Sequence, residues 1–143
     1  MSDWNDQIIA EFRGNDGVVG GPFTGSHLVL LTTTGAKSGQ QRTSPMMYFP
    51  QDAPADGPIL VVASKAGADT HPGWYHNLIA NPTVHVEVAT AEGVVEYDAT
   101  AEELPRAERD AAYVEIVKAA PGFGDYEKKT SRVIPVIRLT RVG

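Results

Sequence analysis

Residues His27–Phe49 read HLVLLTTTGAKSGQQRTSPMMYF. An apolar and β-branched run from His27 to Thr34 meets a tight Gly35-Ala36-Lys37-Ser38-Gly39 connection, and Gln41 to Phe49 follows. This pattern predicts a β-hairpin with a lysine in its loop. Working outward, Gln51 to Gly57 holds Pro and Asp and reads as a second turn. Ile59 to Ala63 is wholly apolar and short, the pattern of a strand buried on both faces. Val84, Val86 and Val88 alternate with His85 and Glu87, which marks a half-exposed strand. Ala91-Glu92-Gly93 is a turn, and Val94 to Thr100 is the hairpin partner. Val133 to Leu139 is a last strand, and Pro135 within it predicts an edge or a bulge.

Helices interrupt these strands. Trp4, Ile8, Ile9 and Phe12 predict a short amphipathic helix over 3–12, ended by Gly14-Asn15-Asp16-Gly17. Gly20-Gly21-Pro22 excludes regular structure beyond it. Gly73 to Ala80 is a short helix that stops at Asn81-Pro82. Thr100 to Ala120 reads as a longer helix, with Thr100 and Glu103 as a capping box and Pro105 in its first turn. The fold class expected is mainly β (α+β): about six mostly antiparallel strands with two or three helices. A sheet of this size closes into a barrel to remove its edges. Residues 1–143 form one domain, with 1–22 as an N-terminal helix and tether.

Composition narrows the function. There is no cysteine, which excludes disulfides and thiolate zinc sites and suits a cytoplasmic location. No apolar run approaches the ~20 residues of a membrane span, and the acidic start lacks signal-peptide character. Peripheral membrane contact through the first helix stays open, although its polar face carries acids rather than lysines. A net charge of −6 argues against nucleic acid as a partner. Oligomeric state is not legible. The distribution of charge says more than its total. From Gly17 to Gln51 no Asp or Glu occurs, and the only formal charges are Lys37 and Arg42.

Gly35, Lys37, Ser38, Gly39 and Arg42 within eight residues offer glycine backbone, a lysine, a hydroxyl and a bidentate fork. That is the chemistry of a phosphate or carboxylate site. A hairpin loop with solvated charges is the other reading, and spacing alone leaves both standing. Ala36 precedes Lys37 and a strand follows, so this is not a Walker A loop. The glycines do not flank Ser38 as in a nucleophile elbow. Ala63-Ser64-Lys65-Ala66-Gly67 supplies donors beside a buried strand. Trp74 and Tyr75 can stack on a flat ring or simply fill core. His71 and His76 are spaced wrongly for two ligands on one helix face, so no metal is expected. Phe123 and Tyr126 line a pocket or belong to a polar connection.

Four linked segments carry a resemblance. LTTTGAKSGQQR at Leu31–Arg42, Ala63-Ser64-Lys65-Ala66-Gly67, Pro72-Gly73-Trp74-Tyr75-His76-Asn77-Leu78 and Ala80-Asn81-Pro82 resemble, in order and spacing, the deazaflavin-dependent nitroreductase family. The resemblance implies a split β-barrel and coenzyme F420, whose reduced form donates hydride to a small-molecule acceptor: a quinone, an unsaturated lactone or a nitroaromatic. It implies that Lys37, Ser38, Gly39 and Arg42 grip the cofactor's phosphate and acidic tail, and that Pro45, Met46 and Met47 face its ring. It adds Ser64, Lys65, Trp74 and Asn77 to the cofactor set. Ala120, Phe123 and Tyr126 fall on the acceptor side, where nitroreducing members carry several tyrosines. Ser64 and Tyr126 would polarise or protonate the acceptor. Two other readings share the barrel: a non-catalytic F420-binding or storage protein, and a protein binding flavin mononucleotide or a haem-related molecule.

Overall fold

The computed structural model describes residues 3–15, 28–50, 58–64, 67–68, 70 to 90 and 93–142. The elements run α1 (Asp3–Gly14), β1 (Leu28–Thr34), β2 (Gln41–Met47), β3 (Phe49–Pro50), β4 (Ile59–Val62), α2 (Gly73–Ala80), β5 (Thr83–Thr90), β6 (Gly93–Glu103), α3 (Arg106–Ala119), α4 (Gly122–Lys129) and β7 (Val136–Arg141). The strands form one sheet in the order β2-β1-β5-β6-β7-β4-β3. Every pairing is antiparallel.

Topology forces this sheet to curl. β2 and β3 stand at opposite ends of the order, yet one residue, Tyr48, joins them. A flat seven-stranded sheet would hold its edges roughly 29 Å apart. Two residues flanking a third lie only about 7 Å apart. The edges therefore meet at Tyr48, whose ring is buried in the interior with Val29, Val61, Val86 and Ile137. This is the barrel that the hairpin pattern predicts, with seven strands because Tyr48 splits the expected Gln41–Phe49 strand in two.

β4 is buried on both faces, as its apolar run predicts. Ile59 and Val61 point into the barrel, whereas Leu60 and Val62 meet Tyr113 and Ile116 of α3. β1 does likewise. Val29 and Leu31 face inward, and Leu28 and Leu30 pack on Ile8 and Phe12 of α1. Ile8 and Phe12 of α1 are thus taken up by the barrel, which leaves the membrane contact named above without support. Among the described residues no helix is long and apolar enough to cross a membrane. The tether and the Gln51–Gly57 turn lie outside the described residues, as do His27, Ala91 and Glu92.

Three expectations are corrected. Thr100–Glu103 does not open a helix: it continues β6, with Ala101 opposite Leu139 and Glu103 opposite Ile137 of β7. Ladder bonds to β7 outcompete the capping box. Leu104 precedes a proline and so disfavours helical geometry, and α3 begins only after Pro105. The last strand begins at Val136, beyond Pro135, whose missing donor is never demanded of the ladder; its carbonyl instead accepts from Ala63 N at 2.9 Å. The segment around Phe123 and Tyr126, open to reading as a polar connection, is the helix α4.

Candidate active site

The β1–β2 loop is held in a fixed shape by its own backbone and by α2. Gly35 N donates to Gln40 O at 2.8 Å, Gly39 N donates to Gly35 O at 3.0 Å, and Gln40 N donates to Ser38 Oγ at 3.1 Å. Gly39 sits at φ +71°, the left-handed region that favours glycine. A Cβ on Gly35 would lie 2.5 Å from Ser38 Oγ and 3.2 Å from Gln40 O. From α2, Asn77 Oδ1 accepts the amide of Ala36 at 3.0 Å, and its Nδ2 donates to the buried Thr33 Oγ1 at 3.1 Å. Asn81 Nδ2 donates to Thr34 O at 3.3 Å. Two asparagines of the α2 segment therefore fix the loop, while the amides of Lys37 and Ser38 have no acceptor among the described residues.

Between this loop and α2 lies a cleft of about 580 Å³, lined by Gly35, Ala36, Lys37, Ser38, Arg42, Gly73, His76 and Asn77. No carboxylate lines it. No side chain caps the N-terminus of α2, whose first residue lines the cleft, so its unsatisfied amides add positive potential there. The other arginines are already engaged. Arg13, Arg106, Arg109 and Arg138 rest on carboxylates, Arg132 on backbone carbonyls, and Arg141 on the Tyr97 ring. Arg42 and Lys37 are exposed and have no such partner among the described residues. Two free cations, two free amides and the absence of acids suit a polyanionic ligand.

The remaining predicted residues divide between positions. Met46 and Trp74 pack, partly buried, on the barrel's interior cluster. Met47 occupies the other face of β2, against the α1 cluster, and Pro45 shares its parity on the strand. Ser64 is 8% exposed just past the end of β4, and Lys65 lies outside the described residues. Gly67 adopts φ +84°, and a Cβ there would meet Tyr126 O and Lys129 Cβ at 3.0 Å. α4 thus presses on the turn that carries Ser64. Tyr126 packs edge-on to Phe123 with ring centres 5.4 Å apart, and Phe123 packs likewise on Phe49 at 5.6 Å.

Several supporting residues escape a reading of spacing. Tyr113 Oη donates to Phe123 O at 2.7 Å, which ties α4 to α3; burial, then Glu127, pushes its phenol up to about 12. Arg109, 6% exposed, donates to Ile134 O at 2.9 Å and to Glu127 at 2.8 Å. Arg132 reaches the Ser64 turn and His71. Burial, followed by Arg132 and His76, lowers the His71 imidazole below its ordinary range. These residues carry no motif, because their partners, several of them backbone carbonyls, are brought near only by folding.

The family described as F420H(2)-dependent quinone reductase matches residues 4–141. The chain belongs to that family. An F420H(2)-dependent quinone reductase of Mycobacterium tuberculosis (strain ATCC 25618 / H37Rv) is 40% identical over 136 residues, spanning 92% of this chain and 86% of the relative. A solved F420-H2 dependent reductase (FDR-A) is 43% identical, covers 78% of this chain and 92% of its own, and superposes with a TM-score of 0.65. A chain solved as a domain-swapped dimer is 36% identical over 96% of this chain and 97% of its own, with a TM-score of 0.67. This family member is an F420H2-dependent oxidoreductase with a split-barrel fold, and reduced coenzyme F420 is its cofactor. Of the three readings that share the barrel, the family's description carries the first. The acid-free cleft fits that cofactor, whose phosphodiester and glutamate tail are anionic.

Proposed function

We propose that the chain transfers hydride from reduced F420 to a small quinone, with the cofactor's tail in the Lys37–Arg42 cleft and the acceptor beside Ser64 and Tyr126. The observation that supports this most is the cleft itself: among the described residues of an acidic protein, Lys37 and Arg42 have no partner, and they stand beside two amides with no acceptor there. Each charge-assisted hydrogen bond to the tail contributes roughly 1.5–3 kcal/mol. When bound, the reduced deazaflavin supplies a hydride, that is two electrons and one proton. The quinone needs one further proton to become the hydroquinone. In this reading the Tyr126 hydroxyl delivers that proton to one quinone oxygen and recovers one from solvent. The Ser64 hydroxyl donates a hydrogen bond to a carbonyl oxygen as negative charge develops there. Ser38 and Asn77 line the tail site, Gly39 shapes its loop, and Trp74 and Met46 wall the ring side with Pro45 and Met47 behind. No side chain forms a covalent bond.

A cytoplasmic location belongs to the same proposal. The test is optical. Reduced F420 is mixed with menadione, an unsaturated lactone or a nitroaromatic, and cofactor oxidation is followed. The expected result is fastest turnover with the quinone, with kcat lowered about 100-fold or more in Tyr126→Phe. Cofactor binding without oxidation by any acceptor would favour the storage reading instead.

A further inference from the structure

We infer that Arg132 is a positioning residue for hydride transfer, its one guanidinium fixing the Ser64 turn against the start of α2. The inference rests on the reading of Ser64 as acceptor-side and of α2 as cofactor-side. Arg132 lies in the irregular run before β7, where no element dictates its direction. Its Nε donates to Ala68 O at 2.8 Å. Nη2 donates to Ser64 O at 2.9 Å and to Ala63 O at 3.2 Å. Nη1 donates to Ala63 O at 3.3 Å and to His71 Nδ1 at 2.9 Å.

These acceptors belong to two different walls. Ala63, Ser64 and Ala68 form the turn after β4, which α4 and Tyr126 press from the other side through Gly67. His71 stands two residues before α2, the helix that carries Gly73, His76 and Asn77 into the cleft. Because Arg132 can only donate, His71 Nδ1 must present its lone pair, so the ring is neutral with its proton on Nε2. The ring also faces Tyr75 at 4.4 Å and His76 at 5.9 Å, with Glu103 further off. A guanidinium meets this arrangement because its donors spread in a plane. An ammonium has three donors on one atom and cannot reach all four acceptors. Ser64 lies beyond the β4 ladder, where its carbonyl accepts from Gly67 N at 2.9 Å as well as from Arg132, so losing Arg132 loosens the turn and lets the hydroxyl shift relative to the cofactor. Hydride transfer is steep in distance, and a misplacement near 1 Å costs on the order of 100-fold.

The test compares wild type with Arg132→Lys, His71→Ala and His71→Asn, the last placing an acceptor oxygen close to where Nδ1 was. F420 affinity is read by fluorescence titration and folding by thermal melting. Menadione reduction gives kcat, KM and the primary isotope effect with reduced F420 deuterated at the transferred position. For Arg132→Lys the account predicts F420 Kd within about 3-fold of wild type, kcat lower by about 10- to 100-fold and a larger isotope effect. Unchanged kcat overturns the inference, as does a Kd that rises in step with the fall in kcat. If Arg132→Lys does not fold, the His71 pair decides. A kcat loss in His71→Ala that His71→Asn restores supports the inference; His71→Ala equal to wild type, or His71→Asn no better than His71→Ala, overturns it. A wild type that turns over beside unaffected variants defeats only this inference. A wild type that oxidises no reduced F420 defeats the proposed reaction, and this with it.

Discussion

Asn77 shows how much one side chain does at the cleft. Its amide accepts from Ala36 N and donates to Thr33 Oγ1, so it shapes the loop as well as lining the site. Asn77→Ala removes both bonds and leaves Thr33, 1% exposed, short of a partner. The expected stability loss is about 1–3 kcal/mol, read by denaturant unfolding. Asn77→Asp separates the two roles. It still accepts from Ala36 N, and the Thr33 hydroxyl can turn to donate, so folding changes little. It also places an anion in a cleft that has none, so its F420 affinity falls below that of Asn77→Ala. Equal affinities in the two variants would contradict the electrostatic reading. At this scale the loop was legible in sequence, because glycine, lysine and arginine declare their chemistry by type. Arg132 was not: its partners include the carbonyls of residues 63, 64 and 68 and the ring of His71, which only folding brings together.

Among the elements, the β5–β6 hairpin carries a titrating histidine on its outer face. His85 Nδ1 lies 2.9 Å from Asp98 and Nε2 lies 3.0 Å from Glu96. Hydrogen bonds to Asp98, then to Glu96, raise the imidazole above its ordinary range. A raised folded pKa means that the protonated form is favoured by folding. The stabilisation is complete below the unfolded value near 6.5 and is lost as pH rises through the folded value. The melting temperature of wild type should therefore exceed that of His85→Gln at pH 5.5, and the difference should vanish by about pH 9. A difference that grew with pH would contradict the assignment. The same hairpin explains what could be read at this level. Alternation of valines with His85 and Glu87 marks a strand whatever its neighbours. The fate of Thr100–Glu103 depended on β7, 34 to 40 residues away, whose ladder overrode a local capping pattern. α4 has Pro121, Gly122 and Gly124 at its start, and its stability comes from packing on Phe49 and α3 rather than from propensity.

For the whole molecule, closure rests on Tyr48. It joins the two edges of the sheet and fills the interior with a ring 6% exposed, its phenol raised by burial and then by Tyr97. Tyr48→Phe keeps that volume and should fold. Tyr48→Ala opens a cavity at the seam and is expected to destabilise by about 3–5 kcal/mol in denaturant unfolding. Closure was legible only as a tendency of short antiparallel strands. The seam itself follows from strand order, which single-sequence patterns do not encode. The barrel's service to function is to bring the β1–β2 loop, the α2 segment and the turn after β4 together, with no carboxylate among the described residues that line the cleft between the first two. The most direct measurement of that claim is F420 titration of wild type and of the Lys37→Ala/Arg42→Ala double variant across a range of salt concentrations. The account predicts affinity weaker by about 100-fold or more at low salt in the double variant, with a flatter dependence on salt. Equal affinity and equal salt dependence in the two proteins would contradict it.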